Sequence, residues 1–298
     1  MGNLKEIRTR IASVTSTRQI TSAMKMVSAA KLKKAQDTIM MLRPYANKLQ
    51  EILSTLSSND DGNDNPYAKE RSAEKVLIVV VTSNRGLCGA FNANMVKLAL
   101  QLANEKYSRQ NANGKVHFMP IGRKANDFFL KKNFPVISGN YNHLLDNPSF
   151  EKTVSAAKML MKAFLENSYD RIELVYNQFK NAGVQINTAE QFLPIQKLDD
   201  QKLGKGQIKP VRHDFIFEPS KEQIINELIP NSLKTQLHKA ILDSIASEHG
   251  ARMTAMHKAT DNATDLIKEL KLQYNKARQA SITNEILEIV AGAEALRG

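Results

Sequence analysis

Val76-Leu-Ile-Val-Val-Val-Thr-Ser-Asn-Arg-Gly-Leu-Cys-Gly-Ala-Phe-Asn92 runs from six apolar, mostly β-branched residues into a turn with two glycines. The apolar run predicts a strand over 76–82 buried on both faces, as in sheets with helices on either side. A glycine turn between a strand and a helix is where dinucleotide folds hold pyrophosphate. Gly86 and Gly89 fall short of the full G-x-G-x-x-G fingerprint, and no acidic residue sits at a strand end ~20 residues on. Working outward, 93–107, 123–132 and 150–165 have helical spacing, while 116–121, 172–179, 184–193 and 214–217 read as strands. A Gly- and Lys-rich loop covers 198–210. The alternation predicts a central Rossmann-like α/β domain over 75–219 with a largely parallel sheet.

Both flanks are helical. From Leu4 to Leu56 there is one Pro and no Gly, and Leu4, Ile7, Ile11 and Val14 step by three and four. Ile20, Met24 and Val27 repeat that spacing after a jump of six, so the expected stripe drifts around the helix. Such a helix would be roughly 80 Å long, and Pro44 should kink it. A domain of this size cannot cover it, so much of it must find a partner. At the other end Ser232, after Pro230, is a plausible cap. Leu233, Leu237, Ile241 and Ile245 step by four, and Leu266, Leu270, Ile282, Ile286 and Ile289 continue apolar faces toward Leu296. That run would reach roughly 95 Å. Two long amphipathic helices at opposite ends of one chain predict a long antiparallel coiled coil. The expected organisation is therefore an N-terminal helix (1–58), a polar linker (59–74), the α/β domain (75–219) and a C-terminal helix (220–298).

Composition narrows the function classes. The 298 residues are 42% hydrophobic and 24% charged, which excludes a disordered or collagen-like chain. Lys+Arg 42 against Asp+Glu 30 gives +12, so nucleic acid, an anionic membrane and an acidic protein are all candidate partners. Residues 1–56 hold ten Lys/Arg and three acids, a net +7, whereas 220–298 hold ten of each. The one cysteine excludes an internal disulfide. The start, Met-Gly-Asn-Leu-Lys-Glu-Ile-Arg, shows no apolar signal segment, and no apolar run approaches the ~20 residues of a membrane span. A soluble or peripheral protein is expected.

Catalytic chemistry is thin. No G-x-x-x-x-G-K-[ST] loop is present, and Asn113-Gly114-Lys115 is followed by Val116, which has no hydroxyl for magnesium. The segment 59–66 aligns on a calcium loop only with Ser57 first and Ala68 twelfth, so a linker is the better reading. His238, His249 and His257 are spaced by 11 and 8, which builds no chelating pair, and they read as surface histidines. Asp199 and Asp200 read as solvated. Cys88, at a helix N-terminus, could be a nucleophile, but a small buried group fits better because no partnered His is evident. No cofactor is expected.

Three stretches together resemble the gamma subunit family of the F-type ATP synthase. They are Ile7-Arg-Thr-Arg-Ile-Ala-Ser-Val-Thr-Ser-Thr-Arg-Gln-Ile-Thr-Ser-Ala-Met-Lys-Met-Val-Ser-Ala-Ala-Lys-Leu32, then Ser83 to Asn92, then Ser247-Glu-His-Gly-Ala-Arg-Met-Thr-Ala-Met-His-Lys-Ala-Thr-Asp-Asn-Ala263 continuing through Tyr274-Asn-Lys-Ala-Arg-Gln-Ala-Ser-Ile-Thr-Asn-Glu-Ile286. The resemblance spans nearly the whole chain. It implies a rotor shaft without catalytic residues, inside a ring of three alpha and three beta subunits. The α/β domain would be bound at its foot to the epsilon subunit and the c-subunit ring. Coupling of proton or sodium flow to ATP synthesis or hydrolysis would follow, at the cytoplasmic face of a bacterial inner membrane. By motif, Met24 and Lys25 correspond to positions facing an acidic lever of beta, and Arg278, Gln279, Thr283 and Glu285 to contacts with a catch loop of beta. Asn84 and Ala90 depart from the family's usual Asp and Gly, and the chloroplast redox insert is absent. The alternative is a basic coiled-coil protein binding nucleic acid or another acidic partner.

Overall fold

The computed structural model describes residues 4–58, 66–137, 139–146, 148–195 and 221–296. In chain order the elements are α1 (Leu4–Ser58), β1 (Val76–Val81), α2 (Phe91–Glu105), α3 (Ser108–Ala112), β2 (Val116–Ile121), α4 (Arg123–Lys131), α5 (His143–Asp146), α6 (Phe150–Leu165), β3 (Arg171–Asn181), β4 (Val184–Leu193) and α7 (Lys221–Ala295). The expected strand at 214–217, the loop at 198–210 and Asp199 with Asp200 lie outside the described residues. Two compact units result: the described parts of 1–29 and 252–298 form one, and 30–251 the other.

In the larger unit the sheet order is β2-β1-β3-β4. Every residue of β1 is buried, as a strand covered on both faces must be. Val76, Ile78 and Val80 point into a core with Met95, Ala99 and Ala103 of α2, Phe118 of β2 and Phe129 of α4. Phe118 and Phe129 stack at 4.4 Å, and Phe134 meets both rings edge-on. Because β1 pairs in parallel with β2 on one side and β3 on the other, the chain reverses its winding at the end of β1.

The sheet is largely parallel, as expected, with one antiparallel strand at its edge. β4 pairs antiparallel with β3. Only Ala182 and Gly183 separate the two strands, and a parallel crossover needs a dozen residues or more. The Asn181 carboxamide oxygen accepts from the amides of Gly183 (3.0 Å) and Val184 (2.8 Å), which closes that hairpin.

A buried charge braces α2 to β3. Glu173 is 1% exposed and accepts from the Lys106 ammonium at 2.6 Å and from the Tyr107 hydroxyl. Burial, followed by the bond to Glu173, pushes the Tyr107 phenol well above its ordinary range. A carboxylate in this position needs both donors, because an unpaired buried charge is costly.

Within the same unit α7 is buried at every position from 240 to 248. A helix covered all round carries no clean amphipathic stripe. His238 is among its buried side chains, which corrects the surface reading for that histidine. Its Nδ1 lies 3.1 Å from the Thr153 hydroxyl and its ring meets Phe150 edge-on. Burial lowers its pKa. Ser232 does not cap a helix start either, since α7 begins at Lys221 and continues through Pro230. Pro230 is the tenth residue of α7, past the first turn, so it removes an interior backbone hydrogen bond of the helix.

Candidate partner-binding surfaces

The smaller unit contains the first 26 described residues of α1 and the end of α7. Along α1, partly or fully buried positions follow one another as Leu4, Ile7, Ile11, Val14, Arg18, Thr21, Lys25 and Ser28. These steps alternate three and four without a break, the heptad spacing of a coiled-coil seam. The seam therefore does not drift through Ile20 and Val27, which are 60% and 57% exposed. It continues through polar residues that an apolar stripe could not reveal. On α7 the matching series is Met256, Thr260, Ala263, Ile267, Leu270, Tyr274, Ala277 and Ser281.

Two polar pairs set the direction and register. The Thr21 and Thr260 hydroxyls are 2.8 Å apart, and Arg8 Nη2 donates to the Tyr274 hydroxyl at 2.7 Å. Moving forward from Arg8 to Thr21 moves the partner backward from Tyr274 to Thr260, so the helices are antiparallel. Polar residues at seam positions of this kind specify register at some cost in stability.

Of the residues singled out in the sequence, Lys25 lies in the seam and Met24 beside it, both half-buried. Arg278, Gln279, Thr283 and Glu285 are exposed. The Thr283 hydroxyl donates to the Gln279 backbone carbonyl at 2.9 Å. The structure adds a feature that sequence reasoning did not isolate. No described residue after Leu270 is buried, yet Ile282, Ile286, Leu287, Ile289 and Val290 all stand 48–71% exposed. Met26 on α1 is 66% exposed as well. Apolar residues lying off the three-four seam were the available signal.

In the larger unit the turn after β1 is braced by its own side chains. The Ser83 amide donates to Asn92 Oδ1 (2.9 Å), and Asn92 Nδ2 donates to the Ser83 hydroxyl (2.8 Å) and Cys88 Sγ (3.2 Å). Cys88 is thus a small buried group. The first amides of α4 are occupied too: Arg123 donates to Asn84 Oδ1 (3.1 Å), Lys124 to the Ser83 carbonyl (3.1 Å) and Ala125 to Thr82 Oγ1 (3.0 Å). Among the described residues no three His, Cys, Asp or Glu side chains are grouped to hold a metal ion. No helix there is long and apolar enough to cross a membrane.

A family model described as ATP synthase matches residues 3–296. The ATP synthase gamma chain of Flavobacterium johnsoniae is 56% identical over 299 residues, covering 100% of both chains. The chain belongs to the ATP synthase gamma chain family. The gamma chain of Chlorobium phaeobacteroides is 46% identical, again over 100% of each chain. Solved structures share the fold. The rotor of Euglena gracilis mitochondrial ATP synthase in rotational state 1 matches with TM-score 0.63 and 22% identity, over 94% of this chain and 99% of that one. An OSCP/F1/c-ring structure from the same organism gives 0.64 and 23%, over 99% and 95%.

Within this family, Asn84 in place of the usual Asp has a local cause. Asn84 Nδ2 donates to Asp146 Oδ1 at 2.8 Å and to the Asn142 carbonyl at 3.0 Å. A carboxylate at 84 would lose both donations and face a second carboxylate. Asn84→Asp is expected to cost about 1 kcal/mol, and Asp146→Asn in the same chain should recover most of it. Urea midpoints of the two single variants and the double variant measure that coupling.

Proposed function

We propose that this gamma chain is the central shaft of a rotary ATP synthase and holds no catalytic residues of its own. Residues 1–58 and 220–298 serve as the shaft, 59–74 as a linker and 75–219 as the foot. Three alpha and three beta subunits surround the shaft. Epsilon and the c-subunit ring hold the foot at the cytoplasmic face of a bacterial inner membrane. Ion flow through the ring turns the shaft, and the turning shaft drives the beta sites through synthesis or hydrolysis.

One observation carries this reading. The coiled coil takes polar and small residues such as Thr21, Ser28, Thr260, Ala277 and Ser281 into a partly apolar seam and leaves Ile282, Ile286, Leu287, Ile289 and Val290 outside it. Apolar surface of that kind marks an interaction site. A hydrophobic sleeve would cover it without charge-specific adhesion. The nucleic-acid alternative wants a bare basic stripe along the coiled coil, whereas residues 220–298 hold as many acids as Lys/Arg, ten of each.

The decisive experiment adds the purified chain to alpha–beta assemblies lacking gamma, together with epsilon and membranes carrying the ion-translocating sector. ATP-driven ion pumping should appear, with no ATPase from the chain alone. Intrinsic ATPase, or pumping unchanged by the chain, refutes the shaft. Met24→Lys adds charge beside the seam, where we place the beta lever. We expect pumping per ATP to fall by about threefold or more with bound subunits retained. Equal loss of bound subunits and pumping would count against Met24 as a coupling contact.

A further inference from the structure

Inside the larger unit, Asp243 of α7 is fully buried, and the Phe179 amide and Arg43 guanidinium approach its carboxylate closely enough to favour the charged form without a well-formed hydrogen bond to either oxygen among the described residues. Its near cation is Arg43 of α1, with Nη2 at 3.7 Å from Oδ1. The same Nη2 donates to the Phe179 carbonyl of β3 at 3.2 Å. One guanidinium thus touches a strand and the second long helix at once. Four residues along α7, the Ser247 hydroxyl donates to the Asn177 carbonyl of β3 at 3.1 Å, while Asn177 Nδ2 is buried with no hydrogen-bond partner among the described residues.

We propose that Arg43 and Asp243 form a charged clasp that sets the register of α1 against β3 and α7, and that both act as positioning residues in the transmission of torque. This rests on the shaft reading above. Stability does not explain the pair. Burial raises the Asp243 carboxyl to about 6, and the opposing pull of Arg43 and Lys239 does not offset it. From the sheet side, Tyr176 faces the same carboxylate and bonds Glu190 of β4 at 3.3 Å, so more negative charge stands opposite. A carboxyl whose folded pKa exceeds its unfolded value stabilises the fold at low pH. That contribution is lost as pH rises through about 6. At neutral pH the fold carries a buried carboxylate that an amide would relieve, and its partly exposed partner Arg43 offsets only part of the desolvation cost, so the pair serves geometry better than stability. The rigid fork of Arg43, shared between a carboxylate and a carbonyl, selects one rotation of α1 about its axis.

The test uses full-length Asp243→Asn and Asp243→Glu. In the purified chain, the folded-to-unfolded ratio of the wild type should fall about tenfold relative to Asp243→Asn between about pH 5 and 7. His238 titrates in the opposite sense but is common to both proteins and cancels. In the reassembled complex, Asp243→Asn should hydrolyse ATP within about twofold of wild type while pumping per ATP falls about threefold or more. Asp243→Glu, which keeps the charge, should restore at least half of the lost pumping. Parallel pH profiles, or Asp243→Asn pumping normally, would overturn the clasp. If the wild-type chain itself restores no pumping, the shaft reading fails, and the pH comparison in the purified chain still decides whether the carboxylate is held as described.

Discussion

Gly122→Ala is expected to destabilise the α/β unit by roughly 3–6 kcal/mol, much of the stability of an ordinary domain. Gly122 stands between β2 and α4 with φ of 116°, a conformation that L side chains rarely adopt. A Cβ there would lie 2.4 Å from the Thr82 carbonyl oxygen and 2.8 Å from Thr82 Oγ1. Neither atom can move away cheaply. The Thr82 amide donates to the Ile121 carbonyl at 2.8 Å, and Thr82 Oγ1 accepts from the Ala125 amide at the start of α4. Gly114→Ala is the control, because its φ is 67° but nothing lies within 4 Å of the added carbon. It should cost only about 1–2 kcal/mol. Urea denaturation followed by circular dichroism measures both. Equal losses in the two variants would show that close approach to Thr82 is not what requires the glycine.

Phe129→Ala should cost about 3–5 kcal/mol. The ring is fully buried and packs against Phe118, Phe128 and Phe134 with centroids 4.4–5.7 Å away. Those rings belong to β2, α4 and the segment after α4, and Phe118 is bonded into the sheet through its ladder with Ile78. Collapse into the hole is therefore limited, and most of the cavity term remains. By contrast, Ile286→Ala on the exposed end of α7 should leave the chain's own stability within about 0.5 kcal/mol. Its effect belongs to whatever surface covers it. A loss of unfolding free energy below about 1 kcal/mol for Phe129→Ala in urea denaturation would mean that the aromatic cluster is not the keystone of this core.

The positions hardest to foresee share one physical feature, in that their neighbours are distant in sequence. β1 was legible because burial on both faces needs nothing but a continuous apolar run. The seam of α1 was misread because Arg18, Thr21, Lys25 and Ser28 are polar. Their place follows from a partner helix more than two hundred residues away, which supplies Thr260 to Thr21. Apolar Ile20, Met24 and Val27 mimicked the seam because they repeat the four-three spacing of Thr21, Lys25 and Ser28 one residue earlier. The antiparallel direction of β4 was in principle readable from the two-residue Ala182-Gly183 link. Asp243 had no readable signal, since a carboxylate in a helix ordinarily faces water.

By itself, then, the sequence determined the elements and the family. Three long motifs in order, two terminal helices and an alternating centre leave little freedom, because local periodicity and turn chemistry are written residue by residue. Tertiary structure alone decided which side chains of the shaft face inward, which apolar ones are left for another surface, and where one carboxylate is buried beside a partly exposed guanidinium. Those outcomes depend on contacts between chain segments far apart, and the free energy of burying a group is a property of its final surroundings, not of its identity.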